Sequence, residues 1–418
     1  MIAEVNGEIA TINGKIIERR VNSLTFKVTG SQFPLGTVNN NADRVLFKSD
    51  SENTVTVNFG DGNVISYSFV FVSDSYQFEM NPYNNIGGEK YGKHDFTDGN
   101  SGTRNITFTF SNIEAITDID FLYCRLQGSF PVEINACKRL SYLRLYRTKE
   151  LTTFPITIAQ NKNLKTLDLR DISPSKLDKI PDAIFELGLE VFSGYEVFNL
   201  ADKTNSNLFK INQWKDTLKF LDLTNCDIVE LPESIRECVN IEDARLFINN
   251  YNQFPSQLNS LYKLQRLYLG NNDYNFNVNP DWADLSNLTD LQYLLLTNRD
   301  LPLNNLQVVF QGLKSLTTIL MGSTTFVNNS SRFNEFIESF YQLITENAFV
   351  NPTSAEALAN DYPNQFRNIA WGHSGLAVDT PVEAHPDYIS GQFFGAAQTN
   401  GQRVYELIDN YGHVVDHA

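Results

Sequence analysis

The chain has 418 residues, 42% hydrophobic and 20% charged, with 30 Phe, 18 Tyr and 3 Trp. That much apolar surface excludes a disordered, collagen-like or coiled-coil chain, and the length allows two or three domains of about 150 residues each. The balance of 33 Lys+Arg against 49 Asp+Glu leaves a net charge of −16, which argues against unaided binding to nucleic acid or insertion at an anionic membrane.

The chain opens Met1-Ile2-Ala3-Glu4-Val5, without a basic stretch leading into an apolar run, and nowhere do 18 uncharged apolar residues follow one another. Neither a secretory signal nor a membrane span is visible. Residues 1–40 are polar and alternating, without an obvious core, and read as an N-terminal arm. Residues 41–112 change character. Val45-Leu46-Phe47, Thr54 to Phe59, Val64 to Phe69 and Thr103 to Phe110 alternate with period two, the pattern of half-buried strands in a small β-sandwich.

The run Val57-Asn58-Phe59-Gly60-Asp61-Gly62, followed by His94-Asp95-Phe96 and Asn105 to Phe110, resembles a PKD-type immunoglobulin-like module. The family's usual Trp is replaced by Phe59, and the loop from 73 to 93 is long. Asp61 is a candidate cation ligand beside Asp98, although Asp-Gly is more often a hairpin turn.

From residue 113 the sequence repeats. L-x-x-L-x-L recurs as Ile116-x-x-Ile119-x-Phe121, then from Leu140, Leu164, Leu218, Ile241, Leu264, Leu291 and Leu316, with starts 24, 24, 54, 23, 23, 27 and 25 residues apart. The gap of 54 hides a degenerate turn near Leu189 to Tyr195, which gives about nine turns. Each turn has a second half such as Phe130-Pro131-x-x-Ile134 or Leu231-Pro232-x-x-Ile235, and the 47 Asn suit a chain of recurring bends. This closely resembles the leucine-rich repeat family over slightly more than half the chain. The resemblance implies a solenoid over 113–349, with short strands whose leucines point inward and Pro-containing stretches that turn the chain back. It also implies small ladder residues at each bend, here Cys124, Thr148, Cys226, Asn249, Asn272 and Thr324, with Ile172 departing from the pattern. Cys124 and Cys226 share that slot and Cys137 and Cys238 share another, so the four Cys read as buried core residues, neither disulfide-bonded nor zinc-binding.

The solenoid's ends need cover. The β-module is expected over the first turn, and an amphipathic helix at 331–347, with Phe333, Phe336, Ile337, Phe340 and Leu343 on one face, over the last. Residues 350–418 lack the repeat and read as an irregular extension closing in a hairpin, Val404 to Ile408 against His413 to Val415. The fold class is therefore mainly β with short helices: a sandwich, a solenoid and a small C-terminal region.

No catalytic motif is present, and no cofactor is expected. His413 and His417 have the spacing of a helical metal pair but sit among turn and strand formers. Asp168 and Asp222 fill a slot where Asp is common in the family, so they do not signal a carboxylate pair. The family usually binds through the outward residues of its strands. Those residues here give the candidate contacts Tyr142, Arg144, Tyr146, Arg170, Phe220, Arg245, Phe247, Arg266, Tyr268 and Tyr293. Aromatics alternating with Arg have the composition of interaction hot spots, and lateral packing along the sheet is the competing role.

A PKD-like module leading straight into leucine-rich repeats is similar to BspA-like surface proteins of the Bacteroidetes and to proteins of their phages. The resemblance implies a non-enzymatic recognition and structural protein. In a tailed-phage virion it would be tail- or capsid-associated, assembled through the arm and the C-terminal extension and engaged in host attachment. The alternatives are a bacterial cell-surface adhesin for a protein or glycan and an intracellular repeat scaffold or effector.

Overall fold

A computed structural model describes residues 21–29, 44–80, 94–96, 102–172, 177–202, 205–251, 255–270 and 287–295, strand segments at 10–12, 15–17, 32–33, 318–320, 368–370 and 414–416, and residues 272, 285 and 315. The chain divides into two compact units, residues 1–175 with 181–189, and residues 176–180 with 190–418.

In the first unit, alternation of apolar and hydroxyl residues builds two facing sheets. One holds six strands in the order Lys149–Thr153, Leu126–Ser129, Ser23–Thr29, Thr103–Phe110, Thr54–Asn58, Val64–Ser68. The other places Arg44–Ser49 between Ser75–Met80 and the first repeat strand, Ile116–Leu122. Their inner faces meet in an aromatic core: Phe47 lies 5.1 Å from Phe108 and 5.0 Å from Phe110, and Phe26 lies 4.7 Å from Phe121.

Two expectations are corrected by this arrangement. Ser23–Thr29 is an interior strand, paired with Thr103–Thr109 over seven residues, and not part of an arm. Its Leu24, Phe26 and Val28 are at most 2% exposed, and alternation of period two drives them into the core. Nor does the module stop at residue 112. Arg44–Ser49 pairs antiparallel with Ile116–Leu122, and Ser23–Thr29 pairs with Leu126–Ser129, so both sheets run on into the repeats. A sheet edge left open exposes unpaired backbone groups, and this continuation removes the edge at the first repeat.

The repeat strands pair in parallel with constant register. In the first unit Ile119, Leu143 and Leu167 are aligned. In the second, Phe192, Leu221, Ala244, Leu267, Leu294 and Ile319 are aligned. The missing turn is the strand Val191–Ser193. There Gly194 takes a leucine slot because the Phe198 ring fills it: a Cβ on Gly194 would meet that ring at 2.6 Å. Opposite each strand a short helical turn follows Pro131, Pro155, Pro181, Pro232 or Pro255, and buries Ile134, Ile158, Ile184, Ile235 or Leu258. Proline, lacking an N–H, suits the start of such a turn.

Residues 350–418 do contribute to the ladder. Asn368–Ala370 pairs in parallel with Thr318–Leu320, and Val414–Asp416 with Asn368–Ala370, which aligns Ile369 and Val415 with Ile319. The expected hairpin partner, 404–408, and the capping helix, 331–347, lie outside the described residues, as do Thr324, His413 and His417.

The four cysteines are buried and unbonded to one another. Cys226 Sγ donates to the Gly194 carbonyl at 3.2 Å, and burial pushes the thiols of Cys137 and Cys238 up to about 12. Asn249 and Asn272, in the bend slot, are at most 5% exposed and hydrogen-bond to backbone on both sides.

Candidate binding faces

Each repeat strand is short, so it offers two or three outward side chains, and the constant register stacks them strand upon strand about 4.8 Å apart. None of the ten candidate contacts is buried; nine are half-buried and Arg266 is exposed. Thr224, from the same outward series, is instead fully buried. The chain has begun its bend there, where the carboxylate of Asp222 caps the Thr224 N–H at 3.1 Å.

On the first unit the face is organised by carboxylates. Asp120, with 3% of its side chain exposed, accepts from Arg144 Nε and Nη2 at 2.8 and 2.6 Å and from Arg44 Nη2 at 2.5 Å. Arg170 makes the same two-pronged contact with Asp168, at 2.9 and 2.6 Å. Burial alone would lower the pKa of Arg144, but hydrogen bonding and charge from Asp120 outweigh it and raise the value. Burial also raises the Tyr142 phenol above its ordinary range. Beside this network, the Tyr146 ring has the Arg170 guanidinium 5.1 Å and the Arg147 guanidinium 5.4 Å from its centroid. Arg147 also lies 5.3 Å from the Tyr123 ring and donates to its hydroxyl at 2.9 Å.

On the second unit, register places Asp222, Arg245, Tyr268 and Leu295 in one row and Phe220, Asp243, Arg266 and Tyr293 in the next. The Arg245 guanidinium is sandwiched between the rings of Phe220 at 4.9 Å and Tyr268 at 5.2 Å. Tyr268 in turn lies 5.0 Å from Tyr293, whose phenol is raised by burial. Asp243 binds both Arg245 at 3.3 Å and Arg266 at 3.1 Å. Phe247 is half-buried two residues past the end of its strand, Asp243–Arg245.

Sequence reasoning placed the candidates on the strand faces but missed two kinds of participant. Arg44 and Lys48 come from the N-terminal module, and only tertiary pairing brings them beside Asp120 and Asp118. Tyr123 and Arg147 sit one residue past the strands in left-handed backbone, at φ 56° and 53°. Their 24-residue spacing repeats that of the strands, so extending the register by one position would have found them.

The other candidate, Asp61, is engaged. Its carboxylate accepts from His94 Nε2 at 2.7 Å and from Asn63 Nδ2 at 2.9 Å, and the His94 ring stacks on Phe59 at 3.9 Å. Asp98 lies outside the described residues, and among those described no cluster of three or more His, Cys, Asp or Glu is placed to hold a metal. Burial pushes the pKa of Asp61 up, but the bonds from His94 and Asn63 outweigh it and bring it down to about 2. A carboxylate depressed from 3.8 stabilises the fold fully above that pH and loses its contribution as pH falls toward 2. We expect wild type to lose about 1–2 kcal/mol between about pH 5 and pH 2, and Asp61→Asn to lose correspondingly less. Urea unfolding at the two pH values checks this, and equal losses in both proteins would refute it.

No helix among the described residues is long and apolar enough to cross a membrane. No family model matches the chain. Among curated proteins it is 22% identical over 313 residues to the TMV resistance protein N of Nicotiana glutinosa, covering 65% of this chain and 25% of that protein. It is 27% identical over 205 residues to an adenylate cyclase of Schizosaccharomyces pombe, covering 47% and 12%. Among solved structures it is similar to a leucine-rich-repeat protein of Leptospira interrogans, at 25% identity and a TM-score of 0.38, with 46% of each chain covered. A second similar structure, the leucine-rich-repeat ectodomain of the receptor kinase GASSHO1/SCHENGEN3 of Arabidopsis thaliana, is 20% identical at a TM-score of 0.28, with 47% of this chain and 26% of that chain covered. The chain spans a quarter or less of the length of its curated relatives.

Proposed function

We propose that the chain is a non-enzymatic recognition protein of the leucine-rich-repeat solenoid type whose outward strand faces bind a protein partner. The observation that carries this reading is the Phe220–Arg245–Tyr268–Tyr293 stack, in which aromatic rings and a guanidinium are held in register by a buried carboxylate. Rigid aromatic and Arg side chains cost little entropy to immobilise and dominate binding energy where they occur. The N-terminal sheets, with their His94–Asp61 clasp, are read as a PKD-like module that covers the first repeat. A surface adhesin or receptor-like role suits this combination. Nothing in the comparisons supports a place in a phage virion, and partner contact through an arm at residues 1–40 loses its basis once Ser23–Thr29 lies inside a sheet.

Panning a random peptide library against the immobilised full chain, then titrating the enriched peptides, tests the reading. Arg266→Ala or Tyr268→Ala is expected to weaken binding by more than ~1 kcal/mol at unchanged melting temperature. Leu267→Ala, fully buried between them in sequence, is expected to cost ~2–5 kcal/mol of stability by opening a cavity. Peptides indifferent to both face substitutions would move the binding site elsewhere.

A further inference from the structure

Among the described residues, one position recurs past the end of six repeat strands in left-handed backbone: Tyr123, Arg147, Asp171, Glu196, Asn225 and Ile248, at φ between 53° and 59°. In the first unit these residues are joined sideways by polar contacts, Arg147 bonding Tyr123 at 2.9 Å and Asp171 at 3.4 Å. In the second, Asn225 Nδ2 donates to Glu196 at 3.2 Å. Ile248 breaks the row. Its side chain has no polar atom to join a neighbour, it is β-branched, for which left-handed backbone is a steric outlier, and it is 39% exposed to water. Strain and exposed apolar surface are two separate costs. The backbone N–H of Ile248 bonds the Gly270 carbonyl at 3.0 Å, an arrangement Asn or Gly would support at least as well.

Building on the proposed binding face, we infer that Ile248 is an apolar contact residue that receives a hydrophobic side chain of a polypeptide partner, beside a partner carboxylate held at Arg245 and Arg266. Ile248 lies three residues beyond Arg245, within about 10 Å along the extended chain. At that spot the carboxylates of Asp243 and Asp222 are nearly buried, whereas Arg266 keeps 57% of its side chain exposed, so the charged group the surface presents to a partner is a guanidinium. An acidic group next to an apolar one is the complement of that patch. A sugar suits it less: Arg245 lies against the rings of Phe220 and Tyr268, and the aliphatic Ile248 offers a glycan no hydrogen bond.

The test uses the peptides enriched on the immobilised full chain. Enriched sequences should pair Leu, Ile or Phe with a nearby Asp or Glu. Ile248→Asn should weaken them at least tenfold, while Ile248→Leu should stay within threefold. Independently of any ligand, Ile248→Asn should raise the thermal midpoint by about 1–3 °C, because it relieves the strain. Peptides lost on Tyr268→Ala but unaffected by Ile248→Asn would overturn the inference and leave the face reading intact. Failure to enrich any peptide that depends on Tyr268 or Arg266 would overturn both. A fall in midpoint for Ile248→Asn would make Ile248 structural and overturn the inference whatever the peptides do.

Discussion

Phe26→Ala is expected to destabilise the first unit by ~3–5 kcal/mol, and deletion of residues 1–40 to abolish its cooperative unfolding transition. The ring is 2% exposed and lies 4.7 Å from Phe121, 5.5 Å from Phe130 and 6.0 Å from Phe108. Phe121 and Phe130 belong to the first repeat and Phe108 to the N-terminal module, so one side chain ties the two together. Its strand also supplies the neighbour on each side with hydrogen bonds, to Thr103–Thr109 and to Leu126–Gln127. Losing an interior strand leaves two strands with unpaired edges, a larger cost than any single cavity. The exposed Thr25, one residue away, provides the control: Thr25→Ala should change stability by less than ~0.5 kcal/mol. Denaturant unfolding followed by near-ultraviolet circular dichroism separates the cases. An unchanged midpoint after deletion of 1–40 would restore the arm.

The repeat core was legible because its signal is redundant. Leu143, Leu145, Leu167, Leu169, Leu221, Leu223, Leu267 and Leu269 share one spacing, and every one of them is fully buried. The strand Ser23–Thr29 carries only three apolar residues, diluted by Thr25 and Lys27, and what makes it a strand is its pairing with residues some eighty positions away. The C-terminal strands failed for a similar reason. Phe366-x-x-Ile369-x-Trp371 keeps the spacing of the repeat but puts aromatics in the leucine slots.

Reading the faces from spacing gave the right side chains but an incomplete chemistry. Alternation places Arg144, Arg170 and Arg245 outward, and nothing in the spacing says that Asp120, Asp168 and Asp243 neutralise them. Those pairs depend on register between strands or on rotamers within one. The sequence therefore suggests free cations, where the fold holds all three guanidiniums on carboxylates and those of Arg170 and Arg245 against rings as well. That order favours recognition, since less freedom remains to be lost on binding.

The second large effect is expected at Asn249, in the bend of the repeat after Asp243–Arg245. Its Nδ2 donates to the carbonyls of Leu223 and Leu246, both at 2.9 Å, and its Oδ1 accepts from the N–H groups of Cys226 and Ile228, both at 3.0 Å. Its own N–H donates to Oδ1 of Asn272 at 3.0 Å, so the same device is handed to the next repeat. Asn249→Ala strands four buried backbone groups, and at roughly 1–3 kcal/mol each, partly relieved by relaxation, the loss should be about 3–5 kcal/mol. Asn249→Cys should fall between. At the equivalent position Cys226 donates to the carbonyls of Gly194 and Thr224, so a thiol can replace the donor half of the amide. It is too weak an acceptor to hold the two N–H groups. In a repeat array stability is carried by nearest neighbours, so the damage should be local. Hydrogen exchange in Asn249→Ala should speed first at Cys226 and Ile228 and spread to the strands Phe220–Asp222 and Asp243–Arg245. Exchange that instead rises evenly across the second unit would mean that its repeats unfold as one block and that the asparagine stabilises the whole block, not its own bend.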